Sequence, residues 1–457
     1  MIEITPIGFI IIPLSFVLFF ASERLLYSLL IFAIPFSATS VINISLGDKS
    51  TGVMVFTYIS ILWITRKVFD ILITGRLSMT RYQKRSILFL ISFLLIAIVS
   101  LVMPILIDGK VELFESGVYF PLHLTMWHIT RVFYLLIGIL FVIFFVSKNN
   151  KIRSMHYTLK MYLSSSIFVC VWGWLQRILY YIGKPYPVVF NNSISPSAQG
   201  YITVFEDVNL KRISSVAVEP SILAQFLLTV LPFVLVSVYL DKPILSKNAD
   251  RLSLFLIISV MAISTSTTGY VSFVVMVVIA SYVLRSLRLI NLSRTVQIFV
   301  VLFLLLALVM SIIGINNVIK VSITGKFESF SFRDRMNSIV MAFNYFKQYP
   351  LLGLGWGSVT SQDLFVRTLA NVGILGFIVL ISALTFILNG LDLIKKYLIA
   401  QRNYQVVFFA SVLIAYITLI IVCMFSGFPY VFGYFWFTLG MAIANSSIHM
   451  DDRWRLA

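Results

Sequence analysis

Long apolar runs separated by short polar segments follow one another along the whole chain. A helix needs about 20 apolar residues to cross roughly 30 Å of hydrocarbon, and most of these runs are close to that length. The pattern therefore predicts an all-α polytopic membrane protein with about 11–14 transmembrane helices. The thirteen predicted spans are residues 7–21, 25–44, 52–65, 86–107, 129–147, 161–182, 219–240, 252–264, 270–284, 296–314, 366–391, 405–424 and 430–447.

The count is least defined between residues 252 and 284, where a run of Ser, Thr and Gly at 264–269 interrupts the apolar pattern. This cluster either forms a tight turn between two helices or lies within one long, bent helix. Both alternatives place the polar side chains near one membrane face. We treat residues 1–457 as a single integral membrane domain, because no stretch resembles a separate soluble unit.

Composition supports the membrane assignment and changes how the charge is interpreted. Hydrophobic residues make up 60% of the chain and charged residues only 12%, about half the charged content of a soluble domain. The net charge of +17 would suggest nucleic acid for a soluble protein. Here most Lys and Arg fall in alternate loops, as the positive-inside rule expects of cytoplasmic loops, so no nucleic-acid partner is predicted.

The two longest loops, residues 183–218 and 315–365, fall on the opposite side, which is predicted to face outward. Few ionisable residues lie within the spans. Arg131, Arg177 and Arg367 are close to outer helix ends, from which a long side chain can reach the interface. A proton-driven transporter would carry more buried charge, so function is expected in the outer loops.

The first outer loop ends in a sequence that marks the start of a helix. Pro220 suits the first helical position, because its missing N–H would have no intrahelical acceptor there, and this places Glu219 at the helix mouth. Glu219 beside Arg212 is one candidate for a general base or hydrogen-bond acceptor at the membrane surface. The alternative is that Glu219 caps the helix and Arg212 contacts lipid phosphates.

The second outer loop contains "SFRDRMNSIVMAFNYFKQYP", in which apolar residues recur on one helical face. This pattern predicts an amphipathic helix on the membrane surface, capped near Ser331. Arg333 and Arg335 would then lie in the first turn, where free amide groups and guanidinium groups together bind anions. Anchoring to lipid headgroups is the alternative. The glycine-rich run 353–357 lacks a preceding strand and a following Lys-Ser, so we interpret it as a close-packed turn rather than a nucleotide loop.

These segments together resemble the O-antigen polymerase/ligase superfamily. The resemblance is carried by Arg-x6-Glu-Pro-Ser before a helix, by "SFRDRM…YPLLGLGWGS", and by "SQDLFVRTLANVGILGF" entering the membrane, over roughly residues 200–390. It implies a GT-C-like glycosyltransferase of lipopolysaccharide biosynthesis in the bacterial inner (plasma) membrane. Such a polymerase moves a growing glycan from undecaprenyl diphosphate onto the next lipid-linked repeat unit at the periplasmic face.

The resemblance assigns roles to residues in both outer loops. Arg212, Arg333 and Arg335 would hold and neutralise the leaving diphosphate. Apart from the resemblance, Glu219 or Asp363 can supply the base that takes the acceptor's proton, and we expect Glu219 to do so. The implied partners are undecaprenyl-diphosphate-linked oligosaccharides, membrane lipids, a chain-length regulator and a flippase. No metal or other cofactor is required, since the arginines can supply the positive charge, and activity is expected to survive chelators.

Other positions separate the members of this superfamily. Lys211, Asp363 and Arg367 are further candidate substrate-binding residues, and Asp363 is a second candidate base. Ligases typically have His-Asn where this chain has Gln362 and Asp363, and an Asn-Pro-Asn-like turn in place of residues 219–221. Both differences favour a polymerase. The remaining alternatives are an O-antigen ligase and a flippase for lipid-linked oligosaccharides, which performs no covalent chemistry.

Overall fold

A computed structural model gives the structure for residues 1–46, 49–75, 77–115, 117–194, 204–205, 210–289, 293, 330–401, 406–425 and 429–456. The chain is mostly helical with little sheet, as the apolar pattern predicts. Fourteen α-helices are named in the described part: α1 Pro6–Ala21, α2 Glu23–Phe32, α3 Val55–Thr74, α4 Arg81–Ser100, α5 Met103–Leu106, α6 Met126–Lys148, α7 Ile152–Tyr181, α8 Pro220–Tyr239, α9 Lys247–Ile263, α10 Thr267–Ser286, α11 Phe330–Gln348, α12 Leu364–Gln401, α13 Val406–Cys423 and α14 Gly433–Leu456.

The strands are short and lie between helices. They are β1 Ile2–Ile4, β2 Ser40–Leu46, β3 Lys49–Met54, β4 Glu112–Glu115, β5 Val118–Pro121, β6 Val204–Phe205 and β7 Leu210–Lys211. β1, β2 and β3 form an antiparallel sheet in that order, while β4 pairs with β5 and β6 with β7. β6 and β7 lie in the loop of residues 183–218.

Five helices or helix pairs in the described residues are long and apolar enough to cross a membrane, and the protein is therefore membrane-embedded. They are Arg81–Leu106, Met126–Lys148, Pro220–Tyr239, Thr267–Ser286 and Leu364–Lys395. Most other predicted spans also coincide with helices, although those helices are shorter or less apolar. The predicted span 296–314 lies outside the described residues.

The predicted span 25–44 is wrong. The helix there, α2, ends at Phe32, three residues before Pro35, and the chain turns and continues as β2. Ten helical residues cover only about 15 Å, half the thickness of the hydrocarbon core. The apolar residues of 33–41 are instead buried inside the protein, where non-helical backbone is tolerated at membrane depth.

Residues 252–284 form two helices rather than one bent helix. α9 ends at Ile263 and α10 begins at Thr267, and the Ser266 hydroxyl caps α10 by accepting a hydrogen bond from the Gly269 N–H. The polar cluster is therefore a tight turn at the start of α10.

The core is centred on α8, which is apolar on all sides and buried along nearly its whole length. Such a helix is stable only when it is surrounded by others. α8 packs against α9, α10 and α13. Because α8 is held on several sides, its first residues occupy a fixed place at one end of the bundle.

Candidate functional site

The beginning of α8 places a carboxylate at the end of the bundle. Pro220 is the first helical residue, and Glu219 precedes it with an extended backbone (φ −155°, ψ 162°). The Glu219 side chain makes no capping hydrogen bond to the helix; instead, its carboxylate accepts one from the Ser221 hydroxyl. Glu219 therefore occupies the N-cap position, but its carboxylate accepts no hydrogen bond from the helix amides.

Arg212 lies close to this carboxylate. It is partly buried and within electrostatic range of Glu219, Arg335 and Tyr270. Burial lowers the pKa of the Arg212 guanidinium and the positive charge of Arg335 lowers it further, while Glu219 opposes both. A bound anion would relieve the cost of holding these two cations together.

Arg335 reaches the site from α11. Its Nη1 donates a hydrogen bond to the Thr268 hydroxyl oxygen at 3.3 Å. α11 already includes Phe330, so Ser331 lies within the helix and the prediction that it caps the helix is wrong. Arg335 is consequently in the second turn rather than the first, and Arg333 is exposed to the surroundings.

The first turn of α10 is a part of the site that the sequence did not assign. Thr268 accepts the hydrogen bond from Arg335, and Tyr270 lies within electrostatic range of Arg212 and Arg177. The Tyr270 hydroxyl donates to the Ala262 carbonyl at 2.7 Å, which fixes the ring against α9. The available signal was a cluster of hydroxyl side chains in an otherwise apolar region.

Two segments hold the loop between Arg212 and Glu219 in place. Residues 213–218 are buried, and Gln176 on α7 accepts hydrogen bonds from two consecutive amides of this loop. On the other side the Ala38 N–H donates to the Val216 carbonyl at 3.1 Å, and the Val218 N–H donates to the Ser37 hydroxyl at 3.2 Å. The segment that the sequence mistook for membrane-spanning helix thus supports the candidate site.

The other candidate residues lie in different surroundings. The backbone of Lys211 pairs with Val204 between β7 and β6. Asp363 caps α12, since its Oδ1 accepts a hydrogen bond from the Val366 N–H at 2.6 Å. Burial raises the pKa of Asp363, and the amide hydrogen bonds partly offset that rise. Arg367 is buried on α12 and donates to the Ser361 carbonyl at 3.2 Å.

The glycine-rich run 353–357 forms the close-packed turn that the sequence predicted. The Leu354 and Gly355 amides donate to the carbonyls of Ala370 and Asn371 at 2.8 and 3.0 Å. A Cβ on Gly353 would lie 2.5 Å from the Ala370 oxygen. The turn therefore packs its backbone directly against the beginning of α12.

The arrangement combines two guanidinium groups, a carboxylate and several hydroxyl groups at one end of the bundle. Guanidinium forks match phosphate oxygens, and a neighbouring carboxylate can accept a proton. Among the described residues, no group of three or more His, Cys, Asp or Glu is placed to hold a metal ion. No family model matches the chain, and no curated protein matches it.

Proposed function

We propose that this protein is a GT-C-like glycosyltransferase that polymerises lipid-linked oligosaccharide repeat units of an O-antigen or a related surface polysaccharide. It transfers the growing glycan from undecaprenyl diphosphate onto the next undecaprenyl-diphosphate-linked repeat. The site faces the outside of the bacterial inner membrane, and the full bundle has about twelve spans, because residues 25–44 do not form one.

The observation that carries the proposal is that Arg212 lies within electrostatic range of both Glu219 and Arg335 at one end of the helix bundle. These residues come from segments separated by more than a hundred positions in the sequence, and α8, α10 and α11 hold them together. Two cations beside one carboxylate suit a reaction in which a diphosphate leaves and a hydroxyl loses a proton.

The reaction follows from these groups. A hydroxyl oxygen of the acceptor sugar attacks the anomeric carbon of the donor, and a new C–O bond forms as the bond from that carbon to the diphosphate oxygen breaks. The bonding electrons leave with the lipid diphosphate, whose growing charge Arg212 and Arg335 stabilise. The hydroxyl proton passes to Glu219.

An in vitro reaction with purified protein and defined lipid-linked repeats tests the proposal. Arg335→Gln removes a charged hydrogen-bond donor worth about 1.5–3 kcal/mol, which corresponds to a roughly 10- to 100-fold slower polymerisation. Arg212→Gln should have an effect of the same order, and Glu219→Gln should lower the turnover number more than it changes KM.

Arg333→Gln is the matched control, because Arg333 is on the same helix, two residues away, and is exposed. It should leave polymer ladders close to those of the wild type. Equal ladders from Arg333→Gln and from a folded Arg335→Gln variant would remove the assigned diphosphate site.

The accumulating product in a deletion strain separates the proposal from its alternatives. Loss of a polymerase leaves single repeat units that are exported and attached to lipid. Loss of a flippase traps lipid-linked repeats in the cytoplasmic leaflet. Loss of a ligase instead leaves long polymers on the lipid carrier. Trapped single repeats, or long unattached polymers, would contradict the proposed reaction.

A further inference from the structure

A second pair of arginines, Arg131 and Arg367, meets where two other helices begin. Arg131 is the sixth residue of α6, and Arg367 is the fourth residue of α12. The two side chains are within electrostatic range of each other. Arg367 is buried, and Arg131 is partly exposed although its Nη1 atom is buried. The pair therefore extends from the surface into the interior.

The turn between the two arginines holds them in place. A Cβ on Gly357 would lie 3.1 Å from Cδ of Arg131, and the Ser361 carbonyl accepts the hydrogen bond from Arg367. Asn371 fixes this turn, because its Oδ1 accepts hydrogen bonds from the Gly357 and Val359 amides at 2.9 and 3.1 Å. The turn thus holds the Arg367 guanidinium by a hydrogen bond and packs against the aliphatic part of Arg131, which reduces the conformational freedom that binding would remove.

The surroundings of Arg131 combine charge with apolar surface. Its guanidinium lies 4.7 Å from the centre of the Trp127 ring. Trp127 is four residues before Arg131, on the same face of α6, and is exposed, as expected of a side chain that faces lipid. Glu115 on β4 is exposed and within electrostatic range of both arginines.

The pair lies at the same end of the bundle as the site around Arg212. Near the start of α14, the Tyr434 hydroxyl donates to Gln225 on α8 at 2.6 Å. Just before α14, the Tyr430 hydroxyl is 3.5 Å from that of Thr368 on α12. The first two turns of α8 and α12 therefore lie beside the beginning of α14.

We propose that Arg131 and Arg367 form a second anion site, which binds the phosphate or diphosphate headgroup of a membrane lipid. The headgroup contacts the guanidinium groups, and the lipid chains lie along the exposed ring of Trp127, which is on the same face of α6 as Arg131. Two cations beside an exposed aromatic ring match an anionic headgroup attached to hydrocarbon. Glu115 opposes anion binding, because its carboxylate repels the same headgroup that the arginines attract.

Lipid titration of the purified full chain in detergent tests this site, with binding followed by native mass spectrometry. The probes are undecaprenyl diphosphate and phosphatidylglycerol, used separately in an Arg335→Gln background that weakens the first site. Glu115→Gln, on an exposed strand, should tighten binding about threefold or more, because it removes a repelling charge. Arg131→Gln should weaken binding about tenfold.

Arg24→Gln is the matched control, since Arg24 also stacks on an aromatic ring, with its guanidinium 4.4 Å from the centre of the Tyr157 ring. It should leave both affinities unchanged. A response to undecaprenyl diphosphate alone identifies a substrate-lipid site, and an equal response to both probes identifies a general phospholipid site.

Unchanged or weaker binding by Glu115→Gln would overturn the proposal and leave Glu115 as a structural partner of the arginines. This variant keeps the test decisive even if Arg131→Gln fails to fold. Because the measurement is binding, its result is independent of whether the protein polymerises glycans.

Discussion

Gln176 determines how the loop between Arg212 and Glu219 is held. Its carboxamide is buried, and the oxygen accepts hydrogen bonds from the amides of Ser214 at 3.1 Å and Ser215 at 2.9 Å. Ser215 has a left-handed backbone (φ +54°), a conformation that non-glycine residues adopt only when their surroundings impose it. The hydrogen bond from the Ser215 N–H to the Gln176 oxygen helps to hold Ser215 in this conformation.

Replacing Gln176 by Leu should therefore destabilise the protein and reduce activity together. The change leaves two buried amides without an acceptor, at a cost of about 1–3 kcal/mol each. We expect a lower Tm in detergent and faster proteolysis within residues 210–219. Gln176→Glu keeps the accepting oxygen and should recover most of the loss. A Leu variant as stable as the wild type would show that the loop keeps its conformation without the hydrogen bonds to Gln176.

The two arginines of α11 show what a sequence can and cannot indicate at the scale of a residue. Both were candidates because guanidinium groups near a helix start bind anions. Residues two apart point about 200° apart around a helix, so Arg333 and Arg335 cannot face the same spot. Which one faces inward depends on how α11 packs, and the order of residues does not contain that information.

At the scale of an element, α12 is interrupted where the glycine-rich turn packs against it. Gly373 departs from helical geometry (φ 62°, ψ −165°), and the Ile374 N–H donates to the Pro350 carbonyl at 2.8 Å. A Cβ on Gly373 would lie 2.2 Å from the Leu351 oxygen. The break in α12 and the turn after α11 are therefore one interlocked unit.

Gly373→Ala should be strongly destabilising. This region of backbone conformation is essentially restricted to glycine, at a cost of about 1–3 kcal/mol for other residues, and the added methyl group would also collide with backbone. Gly75→Ala is the control, because Gly75 has φ +65° with no atom within 4 Å of the added Cβ. Thermal unfolding in detergent compares the two. Equal losses of Tm would mean that the contact with Leu351 carries no strain.

The elements that the sequence located well have strong local signals. α8 was expected over 219–240 and is found at Pro220–Tyr239, because a proline marks its start and its apolar run has the length of a membrane span. The span 25–44 failed because hydropathy measures how apolar a segment is, not what surrounds it. Val41 and its neighbours are buried by protein, and β-branched residues after Pro35 favour a strand.

At the scale of the whole molecule, the two ends of the bundle use charge differently. On α6, Arg131 at one end meets another arginine, whereas Lys148, about 25 Å farther along the helix, pairs with Glu23 at 2.5 Å. Glu23 also pairs with Lys67 at 3.0 Å and accepts a hydrogen bond from the Trp63 indole N–H. At this end two lysines form ion pairs with Glu23, whereas at the other end the arginines lie within electrostatic range of one another and of Glu219 or Glu115.

The network at Glu23 makes stability depend on pH. Burial raises the pKa of Glu23, but hydrogen bonds and attraction from Lys148 and Lys67 outweigh burial and hold it below its usual value of 4.5. A carboxyl whose pKa is lower in the folded state stabilises the fold above the unfolded value and loses that contribution as the pH falls through the folded value. The Tm of the wild type should therefore drop as the pH falls from about 5 to 3.

Glu23→Gln should lower stability at pH 7 by about 1–3 kcal/mol, a figure reduced from that of a fully buried pair because the side chains are partly exposed. The variant should also show a flatter fall of Tm with acid, measured by thermal unfolding in detergent from pH 3 to 7. Asp241→Asn is the control, since the pair between Asp241 and Lys247 is well exposed and its loss should change little. Parallel pH profiles for wild type and Glu23→Gln would show that this carboxylate does not link α2, α3 and α6 energetically.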